Sequence, residues 1–192
     1  MSVCIAAAVD FETTGSLPGF PNEPWQIGIA QIRDDKISTD LFDSLINVGD
    51  RPFNKYVPGR HAQLRPQLAT APTFEQLWPV VSEQLAGRVL VAHNMGTERS
   101  ILAAASPLHV FGPWIDTLVL SRFAWPALPS HALEAVVAAL GLTSAVSARC
   151  PGREPHDACY DAVASAAVLL YLLEQPQWRS MTAADLVALC GG

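Results

Sequence analysis

Two acidic residues, Asp10 and Glu12, follow an apolar segment, residues 3–9, that is short enough to be a buried strand. Side chains at i and i+2 of a strand project from the same face, so the two carboxylates are expected side by side, with Phe11 pointing into the opposite layer. Two like charges this close raise each other's pKa unless a cation lies between them. Hard divalent ions such as Mg²⁺ or Mn²⁺ prefer oxygen ligands. The pattern indicates either a metal site or a strand end whose acids reach water.

Acidic residues and histidines recur near two further junctions between elements. One group follows a second short apolar run, residues 89–92, and precedes a segment of helical character. The other group leads into an alanine-rich run, residues 162–173. In chain order the residues are His93, Asn94 and Glu98, then His156 and Asp161. Their recurrence in this company strengthens the interpretation of a metal site.

The three groups resemble the motifs of the DEDD exonuclease superfamily, in its DnaQ-like, histidine-containing branch (DEDDh). That family has D-x-E on the first strand, H-N-x-x-x-D at a strand-to-helix turn and H-x-x-x-x-D at the start of a late helix. The resemblance covers residues 3–173, and residues 71–75 and 116–118 also resemble family segments. The matching positions are Asp10 and Glu12, then His93, Asn94 and Glu98, then His156 and Asp161.

The chain departs from the family pattern at one acid and differs from the sister branch at another position. Glu98 stands where the family has aspartate, so its carboxylate lies one methylene further from the backbone. The substitution is either tolerated, or it weakens metal binding and activity. The sister branch has tyrosine four residues before the last aspartate, where this chain has Asp157. Tyr160 is adjacent to Asp161 and therefore at the wrong offset, which favours the histidine branch.

The resemblance implies phosphodiester hydrolysis with two divalent metal ions, Mg²⁺ or Mn²⁺. One ion, held by Asp10, Glu12 and Asp161, would bind and acidify the attacking water. A second ion, roughly 3.5–4 Å away and bridged by Asp10, would stabilise the departing 3′ oxygen. Glu98 would orient the second ion through its waters, and His156 would act as the general base.

The same resemblance implies how a substrate is held. The backbone around Thr13 and Thr14 could hold the terminal 3′ hydroxyl, which would restrict cleavage to the end of a strand. His93 and Asn94 are expected to shape the turn before a helix, and Asn94 could also hydrogen-bond near the site. The expected partners are single-stranded DNA or RNA 3′ ends. No motif distinguishes DNA from RNA, because that distinction depends on contacts to the 2′ position.

The leading hypothesis is a metal-dependent 3′→5′ exonuclease. The main alternative is a catalytically impaired module of the same fold that binds nucleic-acid ends or a partner protein, and Glu98 keeps that alternative open. The presence of Asp10, Glu12, His156 and Asp161 speaks against it. A third interpretation, the proofreading subunit of a polymerase, is less favoured because the segment after residue 173 is short.

Composition limits the other classes. No apolar run approaches the roughly 20 residues that span a bilayer, so no membrane association is expected. The N-terminus lacks a basic flank and reaches Asp10 too soon for a signal peptide. The cysteines show no C-x-x-C pair and are interpreted as reduced thiols of a cytoplasmic protein. They are Cys4, Cys150, Cys159 and Cys190. The sequence does not define an oligomeric state.

The net charge of −6 argues against broad adhesion to duplex nucleic acid, which depends on many contacts from Lys and Arg to phosphate. It does not exclude a nuclease, since metal-binding acids contribute to the negative total. One stretch of the chain is basic, with Arg51, Lys55, Arg60 and Arg65. It either follows a nucleic-acid backbone or is a solvated loop.

The order of elements predicts an α/β protein whose mixed five-stranded sheet is flanked by helices, in agreement with the ribonuclease H-like fold that the resemblance implies. The predicted strands cover residues 3–12, 25–32, 37–48, 89–92 and 114–116, with a hairpin turn at 34–36. Predicted helices cover 73–85 (with a kink or break at Pro79), 97 onward, 117–125, a segment capped by Ser130 that ends at Gly141, and 158–173. We expect one exonuclease domain over residues 1–175 and a short tail over 176–192, where Thr182 could cap a helix.

Asp161 must reach the end of the first strand, so its helix must lie close against the sheet. The small side chains of that helix leave room for this approach. They are Ala158, Ala162, Ala164, Ala166 and Ala167.

Overall fold

In the computed structural model, which describes residues 5–191, five strands form one mixed sheet. The strands are β1 (Ile5–Thr13), β2 (Pro24–Arg33), β3 (Lys36–Leu45), β4 (Val89–Ala92) and β5 (Trp114–Asp116). Their order is β3-β2-β1-β4-β5. The β1–β2 and β2–β3 pairs are antiparallel, and the β1–β4 and β4–β5 pairs are parallel. The predicted fold class is confirmed, and β1 lies at the centre of the sheet.

Helices cover both faces of the sheet. They are α1 (His61–Leu68), α2 (Phe74–Leu85), α3 (Gly96–Ala105), α4 (Thr117–Ala124), α5 (Leu133–Ala139), α6 (Thr143–Arg149), α7 (Ala158–Glu174) and α8 (Ala183–Leu189). Side chains of β1 alternate between two hydrophobic cores, as the period of a strand requires. Ala6 and Ala8 pack with residues of α4 to α8, whereas Ala7, Val9 and Phe11 pack with α2 and α3.

Most local expectations are confirmed because the deciding groups are close in sequence. Strands β4 and β5 have the predicted bounds. Asp34 and Asp35 adopt positive φ in the β2–β3 turn. Thr73 caps α2 in a capping box with Gln76, and the helix continues through Pro79 without a break.

Other boundaries were predicted wrongly. Ser130 does not cap α5, because its hydroxyl accepts only the N–H of Ala132, which is itself the residue before the helix. The helix begins at Leu133, whose side chain is buried in the core. Strand β3 ends at Leu45 instead of residue 48, and the N–H of Asn47 already bonds to Pro72. Helices α1 and α6 were not predicted.

Helix α7 begins in direct contact with the sheet. Gly28 of β2 pairs with Asp10 of β1, and a Cβ atom at Gly28 would lie 2.2 Å from the carbonyl oxygen of Ala158. Any larger residue at this position would therefore push the start of α7 away from β1 and β2. The predicted alanines also serve this approach, since Ala158 and Ala162 are completely buried.

The segment after α7 packs on the same core. Trp178 and Leu186 are buried in the cluster that includes α7, and Thr182 caps α8 together with Asp185. The division of the chain at residue 175 stays a prediction. Within residues 5–191, no helix is both long enough and apolar enough to cross a bilayer. Cys4 lies outside the described residues, and Cys150, Cys159 and Cys190 are free thiols.

Candidate active site

The end of β1 carries the two acids with which the site begins. Glu12 is buried and Asp10 is half-buried on the face that α7 covers. Phe11 lies on the other face, where its ring meets the Phe74 ring edge-on at 5.7 Å between centroids. Beyond Ala8 the parallel pairing of β1 with β4 ends. That edge of β1 is therefore open to groups from neighbouring elements.

Asp161 and His156 approach this edge from the start of α7. Asp161 lies in the first turn, where its Oδ2 accepts the N–H of His156 at 3.0 Å. His156 is exposed on the preceding loop and has a φ of 66°. One donor atom each from Glu12, His156 and Asp161 lie within 4.8 Å of one another. The structure thus brings the first and third sequence groups together in a spacing that suits a metal ion.

Glu98, the residue that departs from the family pattern, also reaches the site. It lies in the first turn of α3, is only 4% exposed, and its Oε2 has no hydrogen-bond partner among the described residues. The negative charge of Glu98 raises the pKa of both Asp10 and Glu12. A buried acceptor without a partner is destabilising unless a ligand satisfies it. The longer side chain therefore still reaches the neighbourhood of the other acids.

Burial and the charges of nearby acids hold the pKa of each of these four carboxyl groups above its ordinary value. Desolvation is the main cause, and it raises the pKa of Glu12 to about 8 and those of Glu98 and Asp161 to about 7. The pKa of Asp10 is raised well above its usual range by burial and then by the charges of Asp161, Glu98 and Glu12. Among the described residues, no Lys or Arg forms an ion pair with any of these acids.

The residues fit a divalent cation. Carboxylate oxygens are the ligands that Mg²⁺ and Mn²⁺ prefer, and no Lys or Arg of the described part of the chain pairs with these acids. Asp10 is not part of the tight group of Glu12, His156 and Asp161, although its charge interacts with two of them. Its predicted bridging role stays a prediction.

His93 and Asn94 form the turn that starts α3. Both ring nitrogens of His93 are engaged, by the Thr117 hydroxyl at 2.9 Å and by the His131 carbonyl at 2.8 Å. Asn94 has a φ of 68°, and its N–H donates to the Asp116 carboxylate at 2.9 Å. Their structural role agrees with the expectation from the sequence. The Asn94 side chain is exposed, and its contact with substrate stays a prediction.

Asp116 is a supporting residue that sequence reasoning missed. Its buried carboxylate accepts the N–H groups of Asn94, Met95 and Leu118, so it fixes the turn before α3 and caps α4. A signal was available, because the acid directly follows a short strand and precedes a helix. That position is typical of an N-cap.

Thr14 is used to build the loop beside the site. Its N–H donates to the Glu23 carbonyl at 2.8 Å, its hydroxyl accepts the Glu23 N–H at 3.1 Å, and its carbonyl accepts the Asn54 N–H at 2.8 Å. Thr13 is half-buried at the end of β1. The predicted hold on a 3′ hydroxyl by these two residues stays a prediction.

The basic stretch makes several contacts within the protein. Arg51 pairs with Glu23, and Arg60 donates to Asp157 at 3.3 Å. Arg65 lies over the Phe53 ring at 4.8 Å, and Lys55 lies over the Tyr56 ring at 4.8 Å. These contacts account for the basic residues without nucleic acid. The interpretation that they follow a phosphate backbone stays a prediction.

The central strand that ends in paired acids belongs to a sheet of the ribonuclease H-like fold, and acids from α3 and α7 lie close enough to raise the pKa of Asp10. The chain belongs to the RNase T exonuclease family, whose model, described as Exonuclease, matches residues 7–169. The resemblance read from the sequence motifs is confirmed.

Curated relatives and a solved structure are similar to this chain. The chain is 32% identical over 177 residues to a DNA polymerase III subunit epsilon-like protein of Rhodobacter capsulatus, covering 90% of this chain and 24% of that protein. It is 28% identical over 185 residues to the 3′-5′ exonuclease DinG of Staphylococcus aureus, covering 91% and 19%. The structure of Exonuclease X in complex with 5′ overhanging duplex DNA matches with a TM-score of 0.68 and 22% identity, covering 96% and 98%. The chain spans a quarter or less of the length of these two relatives.

Proposed function

We propose that this chain is a metal-dependent 3′→5′ exonuclease that hydrolyses phosphodiester bonds at single-stranded nucleic-acid ends. The observation that carries the proposal is the group of acids at the end of β1, whose charges repel one another and have no cationic partner in the described residues. Folding such a group is unfavourable unless a ligand compensates it. A bound divalent ion would compensate the negative charge and take part in catalysis.

Two divalent ions, Mg²⁺ or Mn²⁺, would be held by Asp10, Glu12 and Asp161, with Glu98 near the second. When bound, the ions would supply Lewis-acid stabilisation of the phosphodiester oxygens and a lowered pKa for a coordinated water. The carboxylates of Glu12 and Asp161, whose donor atoms lie within 4.8 Å of each other, support the first position. The buried Oε2 of Glu98, which has no hydrogen-bond partner among the described residues, supports Glu98 as a further acid beside the metal site.

His156 serves as the general base and takes a proton from the attacking water on a ring nitrogen. Its exposure allows the ring to reach a bound substrate, and the hydrogen bond from its N–H to Asp161 keeps its backbone beside the acids. Asp161 therefore acts in two ways, as a ligand and as an anchor for the base. Thr13 and Asn94 are assigned to the contact with the 3′ end.

Polarity and substrate come from the family together with the site. One relative is itself named a 3′-5′ exonuclease, which supports the same polarity here. We assign the substrate as the 3′ end of single-stranded DNA or RNA. We also propose a cytoplasmic location, which the scattered cysteines without a C-x-x-C pair support, since such cysteines are typical of reduced thiols.

The test is digestion of 5′-labelled single-stranded DNA and RNA with Mg²⁺, Mn²⁺ or chelator. We expect a ladder of products shortened stepwise from the 3′ end, no reaction in chelator, and slower digestion when the 3′ hydroxyl is blocked. Asp161→Asn should lose activity. Glu83→Gln is the matched control, because it removes an exposed acid of α2, and this variant should stay active. Cleavage of a circular single strand, or metal-independent digestion, would refute the proposal.

A further inference from the structure

Asp157, next to the proposed base, is held by two arginines from separate segments. It is 3% exposed, and Arg153 donates from Nη1 to its Oδ1 and Oδ2 at 2.8 and 2.9 Å. Arg60, which directly precedes α1, donates to Oδ2 at 3.3 Å. The same carboxylate caps α7 by accepting the N–H groups of Cys159 and Tyr160. Asp157 therefore fixes the beginning of the helix that carries Asp161.

The arginines connect the loop before α7 to other elements. Arg153 also pairs with Asp43 of β3. Gly59, next to Arg60, is so close that an added Cβ would lie 3.0 Å from the His156 carbonyl and 3.6 Å from Glu12 Oε2. The segment of Arg60 thus touches the backbone of the proposed base and one of the acids. We refer to Arg60, Arg153 and Asp157 as the arginine clamp.

The ring of His156 depends on its backbone for its position. No hydrogen bond from any group within residues 5–191 reaches this ring. The backbone of His156 has a φ of 66°. Residues other than glycine rarely adopt this left-handed conformation, and the surrounding structure must hold it in place. The surroundings here are the hydrogen bond to Asp161 on one side and the buried, clamped Asp157 on the other.

We propose that Arg153, acting through Asp157, is the positioning residue that holds the His156 ring at the reacting bond, with Arg60 as a second support. This inference rests on the proposed function of His156. Neither arginine needs to touch the substrate. The guanidinium of Arg153 donates from Nη1 to both oxygens of the Asp157 carboxylate and from Nη2 to Asp43, so it ties the start of α7 to β3, whereas a lysine ammonium would be a single point charge.

The first test compares kcat and KM for Arg153→Ala with those for Arg149→Ala. Arg149 is the matched control, because it also reaches β3, at the Ile37 carbonyl, but does not touch Asp157. We expect kcat of Arg153→Ala to fall by roughly 10²-fold, as for a displaced catalytic group, with KM changed by less than about threefold. Arg153→Lys should recover part of the loss, and Arg149→Ala should match wild type. Equal behaviour of the two alanine variants would overturn the inference.

The second test separates positioning from a general structural role. If Arg153 acts through His156, the double variant Arg153→Ala, His156→Ala should lose no more activity than His156→Ala alone, since the two residues act as a unit. Multiplicative losses in the double variant would overturn the inference.

A third readout needs no activity. NMR spectra of protein with isotope-labelled histidine should show shifted or broadened signals for His156 in Arg153→Ala and unchanged signals in Arg149→Ala. His156→Ala identifies the signal among the five histidines. An unchanged His156 signal would overturn the positioning role, whereas an inactive wild type with a displaced signal would overturn only the proposed function.

Discussion

Replacing Glu12 with its neutral isostere should stabilise the metal-free protein while it abolishes activity. The pKa of Glu12 in the folded protein is raised from 4.5 to about 8, so the folded state favours the protonated acid. A raised pKa means that the stabilising contribution is fully present below pH 4.5 and is lost as the pH rises through 8. At pH 8 without metal, the raised pKa of Glu12 therefore lowers the free energy of unfolding of wild type, and Glu12→Gln removes this destabilisation.

The size of the effect follows from the shift. At about 1.4 kcal/mol per pKa unit, the shift from 4.5 to about 8 sets an upper limit of roughly 5 kcal/mol. Partial protonation at pH 8, relaxation of the surroundings and the buried amide of Gln reduce this figure. We expect a net gain of about 2 kcal/mol in the free energy of unfolding. For a domain of this size, that gain raises the Tm by roughly 4–8 °C.

The assay is thermal unfolding in chelator at pH 5 and pH 8, followed by titration with Mn²⁺ or Mg²⁺ at pH 8. The gain for Glu12→Gln should be present at pH 8 and close to zero at pH 5, where Glu12 is protonated in the folded state. Metal should raise the Tm of wild type far more than that of the variant, because binding to the folded state alone stabilises it. Glu83→Gln, on the exposed surface of α2, controls for loss of charge in general.

Two results would refute this reasoning. A lower Tm for Glu12→Gln than for wild type at pH 8 in chelator would mean that the carboxylate is stabilised and not repelled in the apo protein. An equal metal-induced rise in Tm for both proteins would mean that Glu12 is not a ligand.

Three further predictions concern the other residues of the site. His156→Ala should lose roughly 10²–10⁴-fold in turnover with metal affinity largely kept, whereas Asp161→Asn should weaken metal binding itself; equal loss of affinity, measured by calorimetry, would make His156 a ligand. Glu98→Gln should reduce activity strongly, and Glu98→Asp should reduce it partly. The wild-type enzyme should prefer Mn²⁺ over Mg²⁺, because Mg²⁺ demands stricter geometry. If Glu98→Gln has the wild-type rate, Glu98 is only an acid that stabilises the start of its helix. Gly28→Ala should destabilise the fold by roughly 1–3 kcal/mol and lower kcat, because its Cβ would meet the Ala158 carbonyl at 2.2 Å; unchanged unfolding and kinetics would show that α7 does not need this approach.

The sequence predicted where several acids lie in the fold, because the deciding residues are local. The alternation along β1 placed Asp10 and Glu12 on one face, and the motif spacing identified Asp161 and Glu98 as the acids that join them. Helix caps at Thr73 and Thr182 were also predictable, because the capping side chain and its partner lie three residues apart. In each of these cases a few neighbouring residues determine the outcome.

The sequence did not reveal contacts between distant segments. Arg153 and Arg60 both bind Asp157, and Arg60 lies 97 residues away from it in the sequence. Nothing in the local sequence pattern predicts the pairing of Arg60 with Asp157. The sequence around Gly28 is that of an ordinary strand, and only the three-dimensional contact with α7 explains the glycine. Helix α1 was missed because Pro66 lies inside it and its first turn has no acidic residue.

The supporting residues explain how a site with so much repulsion can fold. The acids at the end of β1 disfavour the folded state without metal, and burial of α7 against Gly28 brings Asp161 into that unfavourable field. Arg60 and Arg153 do not neutralise the site acids; they neutralise Asp157 instead. This arrangement anchors the helix and the histidine loop with cations while it leaves the remaining carboxylates without an arginine partner and available to a metal ion. An arginine placed among Asp10, Glu12 and Asp161 would stabilise the apo protein and compete with the ions.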